Sequence, residues 1–324
     1  MPKSFWKNKK VLVTGYEGFL GSWLAKTLVE LGSRVVGIDI IKDRPHSVLE
    51  GYRKRLVSIK ADVSNLSLVR KTVIEHRPSV IFHLAAEAIV GRANIDPVRA
   101  FKSNIEGTWN ILEASRGMKF IDSIVVASSD KAYGPHRDLP YYEDTTALKG
   151  DHPYDVSKSC ADLLCNAYFV SFKLPVCVTR CGNIYGPGDN NFSRLMPDLF
   201  RSIARNKTFM IRSDGAFTRD YIYVEDVISG YILLGEKMKS KNLAGQSFNL
   251  SNEKPLSVIS MVKTVYKLAG KKPNYKILNS TCNEIKDQYL CSSKAKRILS
   301  WKARYELSKG LNKAMGYYMN RFSR

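Results

Sequence analysis

The chain has 324 residues, 44% of them hydrophobic, enough for one large α/β unit with an appended lobe or for two domains, and too apolar for a disordered polymer. Its 51 Lys and Arg against 30 Asp and Glu leave a formal charge of +21, which bears on association and not on fold. The basic residues are spread along the chain without an arginine-lysine tract or a nucleic-acid module, so a solvated basic surface is expected and nucleic-acid binding is not.

Residues 1–10 are basic but run directly into a short strand and a glycine turn, which is not the pattern of a secretion signal. No apolar run approaches the roughly 18 residues of a membrane span, and a cytoplasmic, membrane-free protein is expected. The six cysteines (Cys160, Cys165, Cys177, Cys181, Cys282 and Cys291) form no CxxC pair and do not alternate with histidines. Reduced thiols and no metal site are therefore expected.

Short apolar strands alternate with helical patterns through the first half of the chain, which predicts a parallel sheet covered on both faces. Strands are expected at 10–13, 34–38, 56–60, 80–84, 121–127 and 176–179, and helices at 18–31, 66–75, 95–115 and 153–172. The fold class is thus α/β, a Rossmann-type doubly wound parallel sheet. From about residue 182 the alternation lapses into loops rich in Gly, Pro and Asn. This divides the chain into a first domain, 1–181, and a smaller C-terminal α/β lobe, 182–324, some of whose strands return to the sheet.

The turn Thr14-Gly15-Tyr16-Glu17-Gly18-Phe19-Leu20-Gly21 lies between the first strand and the first long helix. Glycines there permit a sharp turn and let a pyrophosphate approach the backbone and the positive helix end. Gly15, Gly18, Phe19, Leu20 and Gly21 are accordingly cofactor-binding candidates. Asp39 ends the second strand 18 residues beyond Gly21, where an acid accepts hydrogen bonds from the adenosine ribose of NAD and repels the extra phosphate of NADP. Lys42 and Arg44 follow closely and leave a phosphate possible. Asp62 and Val63, after the third strand, are placed to cap an adenine edge. The fourth strand ends in His83-Leu84-Ala85-Ala86, and the small residues suit a backbone pressed against a cofactor; His83 reads as a packed core histidine.

Ser128-Ser129-Asp130-Lys131-Ala132-Tyr133-Gly134 follows the fifth strand, and Tyr154-Asp155-Val156-Ser157-Lys158 opens the next helix. Residues four apart share a helix face, so Lys158 stands one turn from Tyr154. Its ammonium is expected to favour the phenolate, making Tyr154 a base, with Ser129 sharing the substrate proton.

With these segments in this order, the chain resembles the extended short-chain dehydrogenases/reductases, the group of nucleotide-sugar epimerases and dehydratases. The resemblance covers nearly the whole length. Beyond the motifs above it includes Asn104 in Ser103-Asn104-Ile105-Glu106-Gly107-Thr108, the run Arg180-Cys181-Gly182-Asn183-Ile184-Tyr185-Gly186-Pro187-Gly188, and Arg219-Asp220-Tyr221-Ile222-Tyr223-Val224-Glu225-Asp226. It implies tightly held NAD, contacted by Leu84, Ala85, Ala86, Asn104, Tyr154 and Lys158, and a nucleotide-diphosphate sugar as substrate. Tyr154 would take the sugar O4 proton while hydride leaves C4. Glu87, Asn183, Arg194 and Arg219 fall among the substrate-binding positions.

Within that group, 4,6-dehydratases place an acid and a base directly after the active-site Ser or Thr, commonly Asp-Glu. Here the pair is Asp130-Lys131, and the CDP-glucose 4,6-dehydratase branch carries a similar Ser-Asp-Lys motif. Gly150-Asp151-His152-Pro153-Tyr154, Ser159-Cys160-Ala161-Asp162, Arg194-Leu195-Met196-Pro197-Asp198, Asn283-Glu284 and Cys291-Ser292-Ser293-Lys294-Ala295 also resemble that branch. The expected reaction is C4 oxidation, water elimination across C5–C6 and hydride return to C6, with Lys131 as base and Asp130 as acid. Tyr133-Gly134-Pro135 and the segment 213–221 are nearer the general family form, so a C4 epimerase or C4 dehydrogenase is the alternative. A non-catalytic dinucleotide sensor is a remoter one, since Tyr154 and Lys158 are both present. The helices 95–115 and 153–172 correspond to those that pair into a homodimer in the family, with Trp109, Leu163, Leu164, Tyr168 and Phe169 offering apolar surface. The base and sugar of the substrate are set by no motif.

Overall fold

The computed structural model describes residues 3–280 and 284–322. Cys282 and Asn283 of the sequence analysis lie outside the described residues.

After a short helix α1 (Lys3–Trp6), the first half runs β1 (Lys10–Thr14), α2 (Phe19–Glu30), β2 (Arg34–Asp39), β3 (Val57–Lys60), α3 (Leu66–His76), β4 (Val80–His83), α4 (Val90–Ile95), α5 (Pro97–Phe101), α6 (Gly107–Ser115), β5 (Ser123–Ala127), α7 (Pro153–Phe172) and β6 (Val176–Cys181). The chain continues through β7 (Asn183–Tyr185), α8 (Leu195–Ala204), β8 (Phe209–Ile211), β9 (Thr218–Arg219), β10 (Tyr221–Tyr223), α9 (Val224–Lys237) and β11 (Ser247–Leu250). It closes with β12 (Leu256–Ser257), α10 (Val258–Leu268), β13 (Tyr275–Ile277), β14 (Asp287–Gln288), α11 (Ser293–Leu299) and α12 (Leu307–Phe322).

Seven strands form one sheet in the order β11-β6-β5-β4-β1-β2-β3, and every pairing in it is parallel. This is the doubly wound Rossmann-type arrangement that the alternation predicts. Its strands read as near-continuous buried runs, VIFH in β4 and VCVTRC in β6, because helices cover both faces. Successive side chains alternate between two cores. Leu12, Ile38, Ile81, Ile124 and Val126 pack with residues of α3, α6 and α7, while Val11, Val13, Phe82 and Val125 pack with residues of α2 and α9. Strand order reverses between β1 and β4, and the crevice beyond their carboxyl ends is where ligands bind in such sheets.

The expected single helix 95–115 is broken. Asp96 leaves helical geometry and its side chain accepts Arg99 N at 3.0 Å, capping a fresh start at Pro97. Proline lacks the N–H that would continue the ladder and disfavours helix in the residue before it. A π turn, Lys102–Glu106, then separates α5 from α6.

After β6 the strands are short: β7 pairs with β10, β8 with β13, and β9 lies between β12 and β14. Two pieces rejoin the main body. β11 adds the sheet's outer strand beside β6, and α9 lies under the sheet, where Tyr231 meets Phe82 with ring centroids 6.3 Å apart. Among the described residues no helix is long and apolar enough to cross a membrane.

Candidate active site

The end of β1 builds the cofactor side of the crevice. Gly15 has φ +70°, and a Cβ there would stand 2.7 Å from Ala85 N. A Cβ on Gly21 would stand 2.0 Å from the Gly15 carbonyl oxygen. The turn therefore holds β1, the start of α2 and residues 84–85 closer together than any side chain allows. Gly18 caps α2 with no side-chain hydrogen bond, so the N–H groups of the first turn, with Phe19 and Leu20, face outward at the positive helix end. Such a cradle fits a dinucleotide pyrophosphate.

Asp39 ends β2 at the rim of this turn. Its Oδ2 accepts Glu17 N and its Oδ1 accepts Ile41 N, each at 3.0 Å. Burial pushes its carboxyl pKa up, against the pull of those two N–H groups. Sequence reading overlooks Glu17, whose buried carboxylate pairs in two-pronged fashion with Arg53 at 2.9 and 3.0 Å. Arg44, open to a phosphate on sequence grounds, instead donates Nε to the Glu17 carbonyl at 3.0 Å. The 42–55 segment is thereby tied to the glycine turn, and only a partner 36 positions away could have revealed it.

Asp62 is exposed and accepts Ser64 N, while the Val63 carbonyl accepts Asn110 Nδ2 at 3.0 Å. The N–H groups of Leu84 and Ala85 both donate to Thr14 Oγ1 at 3.2 Å, and Ala86 and Glu87 continue the rim. His83 bridges Thr14 Oγ1 at 2.7 Å and Thr108 Oγ1 at 3.2 Å. Burial drives its pKa to about 3, so it sits neutral as a core histidine. Asn104 occupies the π turn, the kind of helix irregularity often found at functional sites. Its Oδ1 accepts Glu87 N at 2.7 Å, and its Nδ2 donates to Glu87 O at 3.1 Å and Ser157 Oγ at 2.8 Å.

The chemical groups meet where β5 ends against α7. Pro153 starts α7, so Tyr154 and Lys158 fall on adjacent turns, with Lys158 Nζ 5.9 Å from the Tyr154 ring centroid. Lys158 Nζ donates to Ala127 O at 2.8 Å, and burial lowers its pKa to about 8. Tyr154 departs from expectation. Burial raises its phenol to about 12, and the opposing pulls come from Arg194 and a hydrogen bond with Ser129 rather than from Lys158. In this dry setting desolvation of the phenolate dominates.

Ser129 caps a 3-10 turn, Asp130–Tyr133. Its Oγ donates to Asp130 Oδ1 at 2.9 Å and accepts Lys131 N at 3.2 Å. Burial raises the Asp130 carboxyl and lowers the Lys131 ammonium, each opposed by the other's charge. Gln288 on β14, absent from the sequence reading, donates to Asp130 O at 2.9 Å. Asp155 is buried beside Tyr154 with its carboxyl pushed up to about 6 by desolvation.

The expected substrate residues are more dispersed. Asn183 is exposed at the start of β7. Arg194 caps α8 and reaches Asp189 Oδ2 at 3.1 Å. Arg219 is buried, and its guanidinium is engaged by Thr218 O, Lys286 O, Ile285 O and Glu284 Oε1 at 2.6–2.9 Å. Its charge still acts on Asp130 and Lys131.

The model of the NAD dependent epimerase/dehydratase family matches residues 11–251. Among curated proteins, the CDP-glucose 4,6-dehydratase of Salmonella typhimurium is 29% identical, the match covering 98% of this chain and 92% of that protein. The UDP-glucuronate 4-epimerase of Thermodesulfobacterium geofontis is also 29% identical, over 94% of this chain and 95% of its own length. Among solved structures, UDP-glucuronic acid 4-epimerase from Bacillus cereus, in complex with UDP-glucuronic acid and NAD, superposes with a TM-score of 0.87 at 27% identity. That match covers 97% of this chain and 100% of the other.

Proposed function

The chain belongs to the NAD-dependent epimerase/dehydratase family, and from that premise we propose that it is a nucleotide-sugar 4,6-dehydratase, with a CDP-glucose-like substrate favoured. One observation carries the reading: directly beyond the strand-end serine stand a buried carboxyl whose pKa is raised and an amine whose pKa is lowered. Environments that push two neighbouring groups toward neutrality make one an acid and the other a base.

The glycine turn, Asp39, residues 84–86, Asn104 and Lys158 would hold NAD, which when bound would supply the hydride acceptor and donor. Tyr154 accepts the O4 proton, Ser129 shares it, and Lys158 lends its positive charge to the developing phenolate. The C4 ketone acidifies the C5–H bond. Lys131, whose side-chain amine makes no hydrogen bond or ion pair among the described residues, takes that proton as a neutral amine. Asp130, kept protonated by burial, gives its proton to the departing C6 hydroxyl. One C–H and one C–O bond break, a C5–C6 double bond forms, and water leaves. Hydride return to C6 and proton return to C5 complete a redox-neutral sequence. Residues 182–324 form the substrate lobe, with Arg194 near the phenol and Arg219 near the acid–base pair.

A C4 epimerase or C4 dehydrogenase is the second reading, supported by the equal identity to the epimerase above. It uses Ser129, Tyr154 and Lys158 alone. The protein acts as a homodimer through α4–α7, where Ile95, Val98 and Leu163 stand 86%, 64% and 59% exposed.

The test is mass spectrometry of a panel of nucleotide-sugars incubated with the protein and NAD. The proposal expects one sugar to lose a water. Lys131→Met and Asp130→Asn should each slow that loss by about 10²- to 10⁴-fold, while reduced nicotinamide still accumulates. A sugar processed without change of mass would contradict the dehydratase reading.

A further inference from the structure

The segment carrying Ser129, Asp130 and Lys131 is fastened to α7 at two points one turn apart. Lys158 Nζ holds the Ala127 carbonyl. One turn further on, Asp162 Oδ2 accepts Ser128 Oγ at 2.6 Å. Asp162 is in turn gripped by Arg180 from β6, Nη2 to Oδ1 at 3.1 Å and Nε to Oδ1 at 3.3 Å. Arg180 extends the chain of contacts by donating Nη1 to Tyr133 OH at 2.8 Å and Nη2 to Ser247 Oγ at 3.0 Å. Tyr133 ends the 3-10 turn that Asp130 begins and donates onward to Asn249 Oδ1 at 2.8 Å. Residues 128 and 133, the two ends of the reactive segment, are thus pinned to the same ion pair. Asp162 and Arg180 are each only 5% exposed.

A buried ion pair is a poor device for stability alone. Desolvating both charges offsets much of their attraction, and apolar replacements are often as stable. We propose that Asp162, anchored by Arg180, is a positioning residue for the proton relay. It clamps the segment from Ser128 to Tyr133 against α7, and its negative charge keeps Lys158 protonated. Asp162 touches no reacting atom; it acts through Ser128 and Lys158. The inference rests on Tyr154 and Lys158 serving C4 oxidation, a step common to the dehydratase and epimerase readings.

Several groups face Lys158. From α7 come Tyr154, Asp162 and Cys165, and from β4 comes His83, which burial keeps neutral. Asp162 is the largest influence opposing desolvation of the ammonium. Without its charge the Lys158 pKa falls below its present value of about 8, and the ammonium that supports the phenolate is lost at a lower pH.

The experiment compares Asp162→Asn and Ser128→Ala with the wild-type holoenzyme. In single-turnover nicotinamide reduction, Asp162→Asn should move the alkaline limb of the pH profile down by about one unit. Ser128→Ala, which removes the clamp but no charge, should slow the step and leave that limb in place. A second readout needs no substrate. Between the native Lys158 pKa of about 8 and the ordinary 10.5, the unfolded chain binds more protons, so stability rises with pH. In Asp162→Asn that rise should begin at lower pH, and a Lys158→Met background should abolish the difference. Arg180→Met added to Asp162→Asn removes the uncompensated charge and should keep the same shift in a stable fold. A folded Asp162→Asn protein whose stability rise begins at the wild-type pH would overturn the proposal, even if every sugar offered proved not to be a substrate.

Discussion

His83 and Gly15 show how a residue's surroundings decide its part. His83 stands at the strand end beside the crevice, yet the hydroxyls of Thr14 and Thr108 hold both ring nitrogens and burial keeps the ring neutral down to about pH 3. The unfolded chain protonates its histidine near 6.5, so between those limits it binds the extra proton and the stability due to His83 falls as pH drops. At about 1.4 kcal/mol per pH unit, the difference in unfolding free energy between wild type and His83→Gln should shift by up to roughly 3 kcal/mol between pH 6.5 and about pH 4. Asp155 and Asp220, both raised to about 6, titrate in the opposite sense, so the informative quantity is the difference curve from urea unfolding. A flat difference curve would refute this account of His83. Gly15, Asp39, Ser129, Tyr154 and Lys158 were legible in the sequence because their spacing carries their geometry. Glu17 with Arg53, and Asp162 with Arg180, were not. Each pair joins positions on different elements, and no periodicity connects them.

Among the elements, α7 could be read to the residue because Pro153 opens it and Lys173, in the left-handed conformation, ends it. The stretch 95–115 could not, because Asp96-Pro97 resets the helix and Asn104 draws its backbone into a π turn. The strands after β6 span only two to four residues, too few for alternation to appear. Helices α6 and α7 lie side by side, joined by the Tyr168 hydroxyl on Glu113 at 3.1 Å. Their outer surfaces carry Trp109, Leu163, Val170 and Phe172, all exposed. Large apolar side chains left exposed on neighbouring helices are the reason for the proposed homodimer. Sedimentation should give twice the chain mass at micromolar concentration, and Leu163→Glu should give a single chain without loss of fold. A wild-type protein sedimenting as one chain would contradict the homodimer.

At the scale of the whole molecule, the lobe and the sheet are one body. β11 completes the sheet and α9 supports it from below, while β14 brings Gln288 to the Asp130 carbonyl and Lys286, just before it, accepts from Arg219. The +21 charge suits a doubly anionic nucleotide-sugar, and long-range attraction of that kind weakens with salt. The parallel sheet and its crevice were legible in the alternation of the first half. Only Asp130 and Lys131 bear on the proposed elimination as against epimerisation, since one fold serves both reactions. The two reactions differ in where the C4 hydrogen goes. A nucleotide-sugar deuterated at C4, incubated with the protein and NAD and read by NMR, decides it. The proposed elimination puts the deuterium at C6 of a 4-keto-6-deoxy product. Deuterium found back at C4, or lost from the sugar with a C4 ketone and an intact C6 hydroxyl, would contradict it.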